Sequence, residues 1–455
     1  MENFGLNFDT TYTMLPKKFF SKQKPDIITS PEIVIINNNL GQSMGLDFSK
    51  LNAAEQGDFF SGNRLPEGSS SFSQAYAGHQ FGHFTMLGDG RAHICGEHIA
   101  PNGKRLDIQF KGSGRTPYSR GGDGKAALGP MLREYIISEA MHNLGVPTTR
   151  SLAVVATGES IIRERILPGA ILTRVASSHI RVGTFEFAAY HGSKSDTERL
   201  LNYTIQRHYP NITPNQNKAL EFIKAVMERQ IDLIVNWMRV GFVHGVINTD
   251  NMAISGETID YGPCAFIDSY DPSTVFSSID HMGRYAFDNQ PRIAQWNLGK
   301  LAEALLPLID CDINKAKFAA DEIISQFPYL YEQKWLSMMR AKLGLFNESK
   351  EDAQLISDLL NLMHKNHMDY TNTFRDLSQI DRVSNKAYNH HSFEEWLNKW
   401  RTRKEKDSKN LESSVFLMQS TNPVVIPRNH KVEQALEAAN RKDLKPIMCK
   451  ARDLI

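Results

Sequence analysis

Cysteine is nearly absent: Cys95, Cys264, Cys311 and Cys449 are scattered through 455 residues. Their spacings match neither a zinc pattern nor a disulfide framework, so a reducing compartment, the cytoplasm, is the expected setting. Long apolar runs are missing too. No uncharged stretch approaches the ~20 residues needed to span a bilayer, and the N-terminus, with Glu2 and Asp9, lacks the basic and then apolar order of a secretory signal. Neither sign of charge is in excess. Lys plus Arg number 52 against 51 Asp plus Glu, a net charge of +1, which gives no global reason to expect nucleic acid or a membrane surface as partner. Any polyanion site must therefore be local. Internal repeats and low-complexity tracts are also lacking, which excludes solenoids and propellers. With 41% apolar and 23% charged residues, the chain reads as soluble and globular, long enough for about three structural units or one large domain with insertions.

The first 75 residues show one short β-rich run, Glu32 to Ile36, and a turn-rich stretch ending at Ser73; they read as an N-terminal extension. From 76 to 180, β-branched stretches at His93 to Cys95 and Leu106 to Phe110 flank Pro101-Asn-Gly, the pattern of an antiparallel hairpin that leaves Lys111 at a strand end. Leu128, Met131, Leu132, Tyr135, Ile136, Ala140 and Leu144 recur at helical spacing, predicting a helix between Gly124 and Gly145. Strands are expected at Ser151 to Ala156 and Ile161 to Val175. From 181 to 455 the pattern is mainly helical, with a long buried helix from Asn217 through Met238. This is the order of an α+β chain with a small sheet-rich N-terminal lobe and a larger helical C-terminal lobe, the plan of protein-kinase-like folds. The run Lys399 to Lys409, interrupted by Glu405 and Asp407, reads as a solvated helix face or loop.

Two glycine-rich loops carry the first chemistry. Met86-Leu-Gly-Asp-Gly-Arg-Ala sets Gly88 and Gly90 in a tight turn whose N–H groups can approach phosphate oxygens, with Arg91 as a cationic fork; two turn glycines can equally be structural. The second loop, Gly112 to Lys125, places Arg115, Arg120, Asp123 and Lys125 among five glycines directly before the predicted helix, an arrangement suited to anions. It does not match G-x-x-x-x-G-K-[ST], which disfavours a P-loop NTPase. Within it Asp123 suits a ribose hydroxyl or a cation. Lys111 on the strand and Glu134 on the helix form the pair by which kinase-like folds hold phosphates, although an isolated pair of this kind is also an ordinary surface salt bridge. Arg174 and Arg181, beside Ser177-Ser-His, suit a second phosphate contact or a plain surface charge. His79 and His83, at i and i+4, lack a third ligand and the Glu of His-Glu-x-x-His, and read as structural histidines.

The most informative stretch runs from Gly241-Phe-Val-His-Gly-Val-Ile-Asn-Thr-Asp-Asn to Thr258-Ile-Asp-Tyr-Gly-Pro. Kinase catalytic loops follow His-x-Asp-x-x-x-x-Asn, the Asp acting as base and the Asn as metal ligand, with a later Asp before glycine on the metal. Here His244 and Asn251 keep the spacing and Asp260 supplies the later carboxylate. Val246 stands in the place of the base. A valine accepts no proton, so phosphoryl transfer with the usual geometry is disfavoured while the metal-binding half is kept. Asp250 is the available replacement carboxylate.

With these motifs the sequence resembles the selenoprotein O (SelO/YdiU) family, protein-kinase-like enzymes long classed as pseudokinases. The resemblance rests on Tyr76-Ala-Gly-His-Gln-Phe-Gly-His, on Gly112-Ser-Gly-Arg-Thr-Pro-Tyr-Ser-Arg-Gly-Gly-Asp-Gly, on His244-Gly-Val-Ile-Asn-Thr-Asp-Asn-Met and on Ile259-Asp-Tyr-Gly-Pro. It is dense from Phe72 to Phe287 and weaker to about Ala438. It implies that ATP lies flipped relative to ordinary kinases and that AMP passes to Ser, Thr or Tyr hydroxyls of protein substrates, with Mg²⁺ or Mn²⁺ as cofactor. Some bacterial members are associated with Mn²⁺-dependent transfer of UMP. Self-modification is a further expectation. Carried over motif by motif, Gly88, Gly90, Arg91, Lys111, Asp123, Gly124, Arg174, Arg181 and Asp260 would contact the nucleotide, and Glu134 would hold Lys111. Asp250 would accept the proton, and Asn251 and Asp260 would hold the metal. Members commonly end in a cysteine- or selenocysteine-bearing tail. Here Cys449 precedes Ala451-Arg-Asp-Leu-Ile, and Phe276 stands where members carry a cysteine, so redox control through a tail bridge is not expected. Two other readings stay open: a small-molecule or protein phosphotransferase, because His244-Gly-x5-Asn251 resembles aminoglycoside-kinase loops, and a catalytically silent ATP-binding scaffold.

Overall fold

The computed structural model describes residues 4–213, 217–379, 391–407, 410–441 and 443–447; Cys449 and the closing Ala451-Arg-Asp-Leu-Ile lie outside them. The chain is mixed α and β, with the strands concentrated before residue 177 and helices dominating after it. The strands are β1 (Phe20–Lys22), β2 (Glu32–Ile36), β3 (Phe72–Gln74), β4 (Ala77–Gln80), β5 (His83–Met86), β6 (Ala92–Ile99), β7 (Arg105–Lys111), β8 (Ala126–Ala127), β9 (Arg150–Ile162) and β10 (Ile166–Ala176). Eight of them form an antiparallel sheet in the order β1-β3-β6-β7-β10-β9-β2, with β8 paired to β10. The expected β6–β7 hairpin is present, its turn closed by Lys104 N–H on the Asn102 side chain at 3.0 Å.

The first 75 residues do more than extend the chain. They supply both edges of the sheet, β1–β3 at one and β2 at the other, and two helices, α1 (Asn38–Ser43) and α2 (Ala53–Ser61). Asn52 and Glu55 close a reciprocal capping box at the start of α2 (3.0 and 3.1 Å), the local reason that helix begins there. Its Phe59 and Phe60 pack with Phe4, Phe48 and Phe110 on one sheet face. Alternation along β7 then decides what faces the other side: Ile108 and Phe110 point into this aromatic layer, whereas Gln109 and Lys111 point toward the opposite face. There lies α3 (Leu128–Asn143). The helix is shorter than the Gly124-to-Gly145 expectation because β8 intervenes, so the glycine-rich loop meets the sheet before it meets the helix.

After the sheet come α4 (Val182–His191), α5 (Lys194–His208) and the long buried α6 (Lys218–Val240). Gly241 ends α6 at φ 73°, a left-handed conformation that costs a glycine no Cβ clash. The chain then enters β11 (Phe242–Val243), whose antiparallel partner β12 (Ala265–Phe266) returns immediately after the Asp260 turn. This short ribbon pins both ends of the 244–264 loop. The next helix, α7 (Gln290–Ile309), packs on α4 and α6 and leads into further helices. Within the basic run, Arg403 is buried, bonded to Asp352 at 2.7 Å and to Asp407 at 2.8 Å, so that stretch is anchored and not merely a solvated face. Cys95 and Cys264 are buried, which pushes both thiols up to about 12 and keeps them protonated. Among the described residues no helix is long and apolar enough to cross a membrane.

Candidate functional site

Register places the first cations. Arg174 on β10 pairs directly with Gln109 on β7, so the two side chains share a sheet face with Lys111. The Gln109 amide oxygen accepts both Arg174 Nε (3.2 Å) and Nη2 (2.6 Å), fixing the guanidinium. Glu134, nearly two turns into α3 above that face, accepts Lys111 Nζ at 2.6 Å and Arg174 Nη1 at 3.0 Å. Arg181, the residue preceding α4, stacks over Tyr76 at 4.5 Å and donates to the Asp250 carbonyl at 2.7 Å. Arg174 and Arg181 are each only 2% exposed, which removes the surface-charge reading for both.

All three cations converge on Asp260. Its carboxylate accepts Lys111 at 2.6 Å, Arg174 at 2.7 Å and Arg181 at 2.5 Å. Burial disfavours its charge, but the three cations outweigh burial and hold the carboxyl well below its usual range. Asp260 adopts φ 63°, an uncommon left-handed conformation for a non-glycine residue, closed by Gly262 N–H on the Asp260 carbonyl at 2.9 Å. His244, buried against Trp237, bonds the Ile259 carbonyl at 2.9 Å and so steadies the segment entering that turn.

On the other limb of the loop, Asn251 donates its side-chain amide to the Val246 carbonyl at 2.8 Å, which leaves its amide oxygen as a candidate acceptor or donor atom to an ion. Val246 itself lines the cavity but offers only this backbone acceptor. Asp250 is buried, its Oδ1 without a hydrogen-bond partner, and burial raises its carboxyl to about 6 against the opposing pull of Arg181. At neutral pH such a group is ionised yet more basic than an ordinary carboxylate, the property a general base needs.

The glycine-rich loops close the remaining wall. Gly88 has φ 129°, and a Cβ there would stand 2.5 Å from the Tyr118 ring; the turn is glycine because the second loop packs on it. Thr116 Oγ1 donates to the Asp89 carbonyl at 2.7 Å and Ser119 Oγ to the Gly90 carbonyl at 2.5 Å, tying the loops together. Asp123 meets a side chain that the sequence left unremarked: Arg163, at the β9–β10 tip, holds it in a two-point bond of 2.8 and 2.9 Å. Hydrogen bonding from Arg163 brings the Asp123 carboxyl down to about 2. Gly88, Gly90, Arg91, Lys111, Asp123, Gly124, Glu134, Arg174, Arg181, Asp250, Asn251 and Asp260 all line one cavity of about 480 Å³. That volume lies within the range of small-molecule sites.

Sequence reasoning missed the roof. The β4–β5 ribbon, carrying the two histidines, is no metal site: His79 pairs with Phe84 and Gln80 with His83, so His79 and His83 point to opposite faces. His79 instead meets the buried Glu186 of α4. The ribbon's Gly78 lies against Asp250, with no room between them for a Cβ, and His79 N–H donates to Thr249 Oγ1 at 2.8 Å. Only the adjoining glycines in Tyr76-Ala-Gly-His-Gln-Phe-Gly hinted at this close approach.

For a metal, the candidate donors are oxygens: the Asp250 carboxylate, the Asn251 amide and the Asp260 carboxylate, which Lys111, Arg174 and Arg181 engage here. Among the described residues no cluster of three or more His, Cys, Asp or Glu side chains is arranged to hold an ion alone. One or two carboxylates completed by substrate phosphates is the usual environment of Mg²⁺, and the donor set fits it.

Fold and cavity together define an α+β protein with a built, cation-rich anion cavity and an unsatisfied carboxylate at its edge. Residues 2–452 match the family described as Protein adenylyltransferase SelO, and the chain belongs to that family. It is similar to the Protein nucleotidyltransferase YdiU of Nitrosococcus oceani, 59% identical over 440 residues that cover 97% of this chain and 89% of the relative. Proteins of the same name from Pelagibacter ubique and Brevibacillus brevis are 57% and 58% identical, over 97% and 96% of this chain and 91% and 89% of the relatives.

Proposed function

We propose that this protein transfers the AMP moiety of ATP to serine, threonine or tyrosine hydroxyls of proteins, releasing pyrophosphate, on a protein-kinase-like two-lobed plan. Family membership supports nucleotidyl transfer. The observation that carries the reading is the convergence of Lys111, Arg174 and Arg181 beside a buried Asp250 with an unpaired oxygen. The three cations suit the phosphates, and Arg91 and the loop amides suit the outer end of the chain of phosphates. Asn251 and Asp260 would hold Mg²⁺ or Mn²⁺, which supplies charge neutralisation at the phosphates. Asp250 takes the acceptor hydroxyl's proton. The freed oxygen bonds to the α-phosphorus, the bond from that phosphorus to the bridging oxygen breaks, and its electron pair leaves with pyrophosphate. Lys111, Arg174 and Arg181 stabilise the charge developing there. Val246 is then no defect, because the proton acceptor is Asp250.

Incubation of the chain with protein acceptors, a divalent cation and ATP labelled at the α or the γ position tests this. Label from the α position is expected in protein. Label only from γ would establish the phosphotransferase, and label from neither, with ATP bound, the silent scaffold. UTP with Mn²⁺, tested in parallel, is expected to give UMP transfer at a lower rate.

Gly78→Ala provides a second check on the roof. The added methyl displaces the Asp250 carboxylate, and a displacement of about 1 Å at a reacting group lowers the rate on the order of 10²-fold. ATP affinity, measured calorimetrically, is expected to remain within a few-fold of native. Full activity in this variant would mean that the ribbon does not position Asp250.

A further inference from the structure

We infer that the outer edge of β5 is the docking strip for the acceptor: an extended segment of the acceptor protein adds to the β4–β5 ribbon as a third strand, presenting a tyrosine, whose side chain is long enough to cross β5, toward Asp250 and a neighbouring acidic side chain toward Arg284. This rests on the nucleotidyl-transfer reading and adds the acceptor's chemistry to it.

The ribbon stands apart from the main sheet. Among the described residues β5 pairs only with β4, and His83 and Phe84 are exposed, so the far edge of β5 offers backbone groups to another strand. Its two faces differ. One face carries Gly78 and Gln80, of which Gly78 abuts Asp250 and Gln80 lines the cavity. The other carries His79 and Phe84 and continues into an aromatic ledge. Phe84 lies 5.0 Å from Tyr190, and His79 lies 5.2 Å from Trp296. Phe84 is 38% exposed and Tyr190 69%. A strand laid along β5 therefore meets the catalytic side with one residue and the ledge with the next, since strand side chains alternate faces.

Charge selects the occupant. Arg284 stacks over Trp296 at 4.8 Å and approaches the ribbon tip at Gly82. Its Nε is buried without a hydrogen-bond partner. Lys300, also over Trp296 at 5.2 Å, is matched by Glu303 at 2.8 Å, and Glu186 is buried against His79. Among the described residues beside the ribbon, Arg284 is a cation with no carboxylate partner, which favours an acidic segment over a basic one.

The test uses two short synthetic peptides with a single tyrosine, flanked by glutamates in one and by lysines in the other. Binding is read by fluorescence anisotropy and transfer by α-labelled ATP, on the native chain, Arg284→Glu and Tyr190→Ala. The native chain is expected to bind the glutamate peptide on the order of 10-fold more tightly, Arg284→Glu to invert the preference, and N-methylation of alternate peptide amides to abolish binding. Tyr190→Ala, at an exposed position that cannot disturb the core, is expected to weaken both binding and KM several-fold with ATP affinity unchanged. Equal affinity for the two peptides, or an unchanged preference in Arg284→Glu together with undiminished binding in Tyr190→Ala, would overturn the docking strip. A clear preference without any α-label transfer would sink the transfer reading and leave the strip standing; label on proteins without any peptide preference would do the reverse.

Discussion

Asp250→Asn is expected to lower nucleotidyl transfer by roughly 10²–10⁴-fold, the usual contribution of a positioned general base, while leaving ATP affinity within a few-fold. The same substitution is expected to stabilise the fold. Burial, opposed by Arg181, raises the Asp250 carboxyl from 3.8 to about 6, so the folded chain holds its proton over a wider range than the unfolded chain. Stability therefore falls as pH rises from 3.8 to about 6, and above that the whole penalty, roughly 3 kcal/mol, is present. An isosteric amide carries no such charge and still fits beside Gly78. Steady-state rates and urea midpoints at neutral pH test both halves. A residue kept only for structure would move the two measurements in the same direction, whereas a base retained against the interest of the fold moves them oppositely.

The second large effect is expected at Asp260. Its carboxylate is bonded directly to Lys111, Arg174 and Arg181, and that of Glu134 to Lys111 and Arg174. Asp260→Asn leaves Lys111 and Arg174 sharing the Glu134 carboxylate and Arg181 without its ion-pair partner. Asparagine tolerates the left-handed backbone at φ 63°, so the loss is electrostatic and not conformational. Removing one partner from a buried ion cluster costs about 3–5 kcal/mol, read as a lowered denaturation midpoint. Because the variant has gained uncompensated positive charge, ATP without metal is expected to raise its midpoint more than it raises the native one, while the added stabilisation from Mg²⁺ or Mn²⁺ disappears. A variant as stable as the native chain, with metal dependence intact, would remove Asp260 from the centre of the site.

The parts of this site legible in the sequence are those written in short spacing. His244, Asn251 and Asp260 lie on one loop between two paired strands, and the periodicity of Leu128 to Leu144 located α3 and with it Glu134. What escaped is what the chain assembles from distant pieces. β1 and β3 have three residues each, too short for an alternation to register, and their pairing depends on partners far along the chain. Gln109 appeared as one more strand residue, yet it orients Arg174 through two bonds that only the β7–β10 register creates. Arg163 went unremarked inside the expected Ile161 to Val175 strand, and its bond to Asp123 spans 40 residues. The part played by the β4–β5 ribbon was hidden for the same reason: the two histidines four apart read as structural, strand alternation sends them to opposite sides, and it is Gly78, just before the first of them, that meets Asp250.

The central claim, that this cavity takes a metal-loaded triphosphate, is tested most directly by titrating the native chain calorimetrically with an ATP analogue whose α–β bridge resists cleavage, with and without Mg²⁺ or Mn²⁺. Saturable binding that tightens with the metal and weakens with added salt is the predicted result. The absence of heat, or an affinity indifferent to the metal, would contradict it.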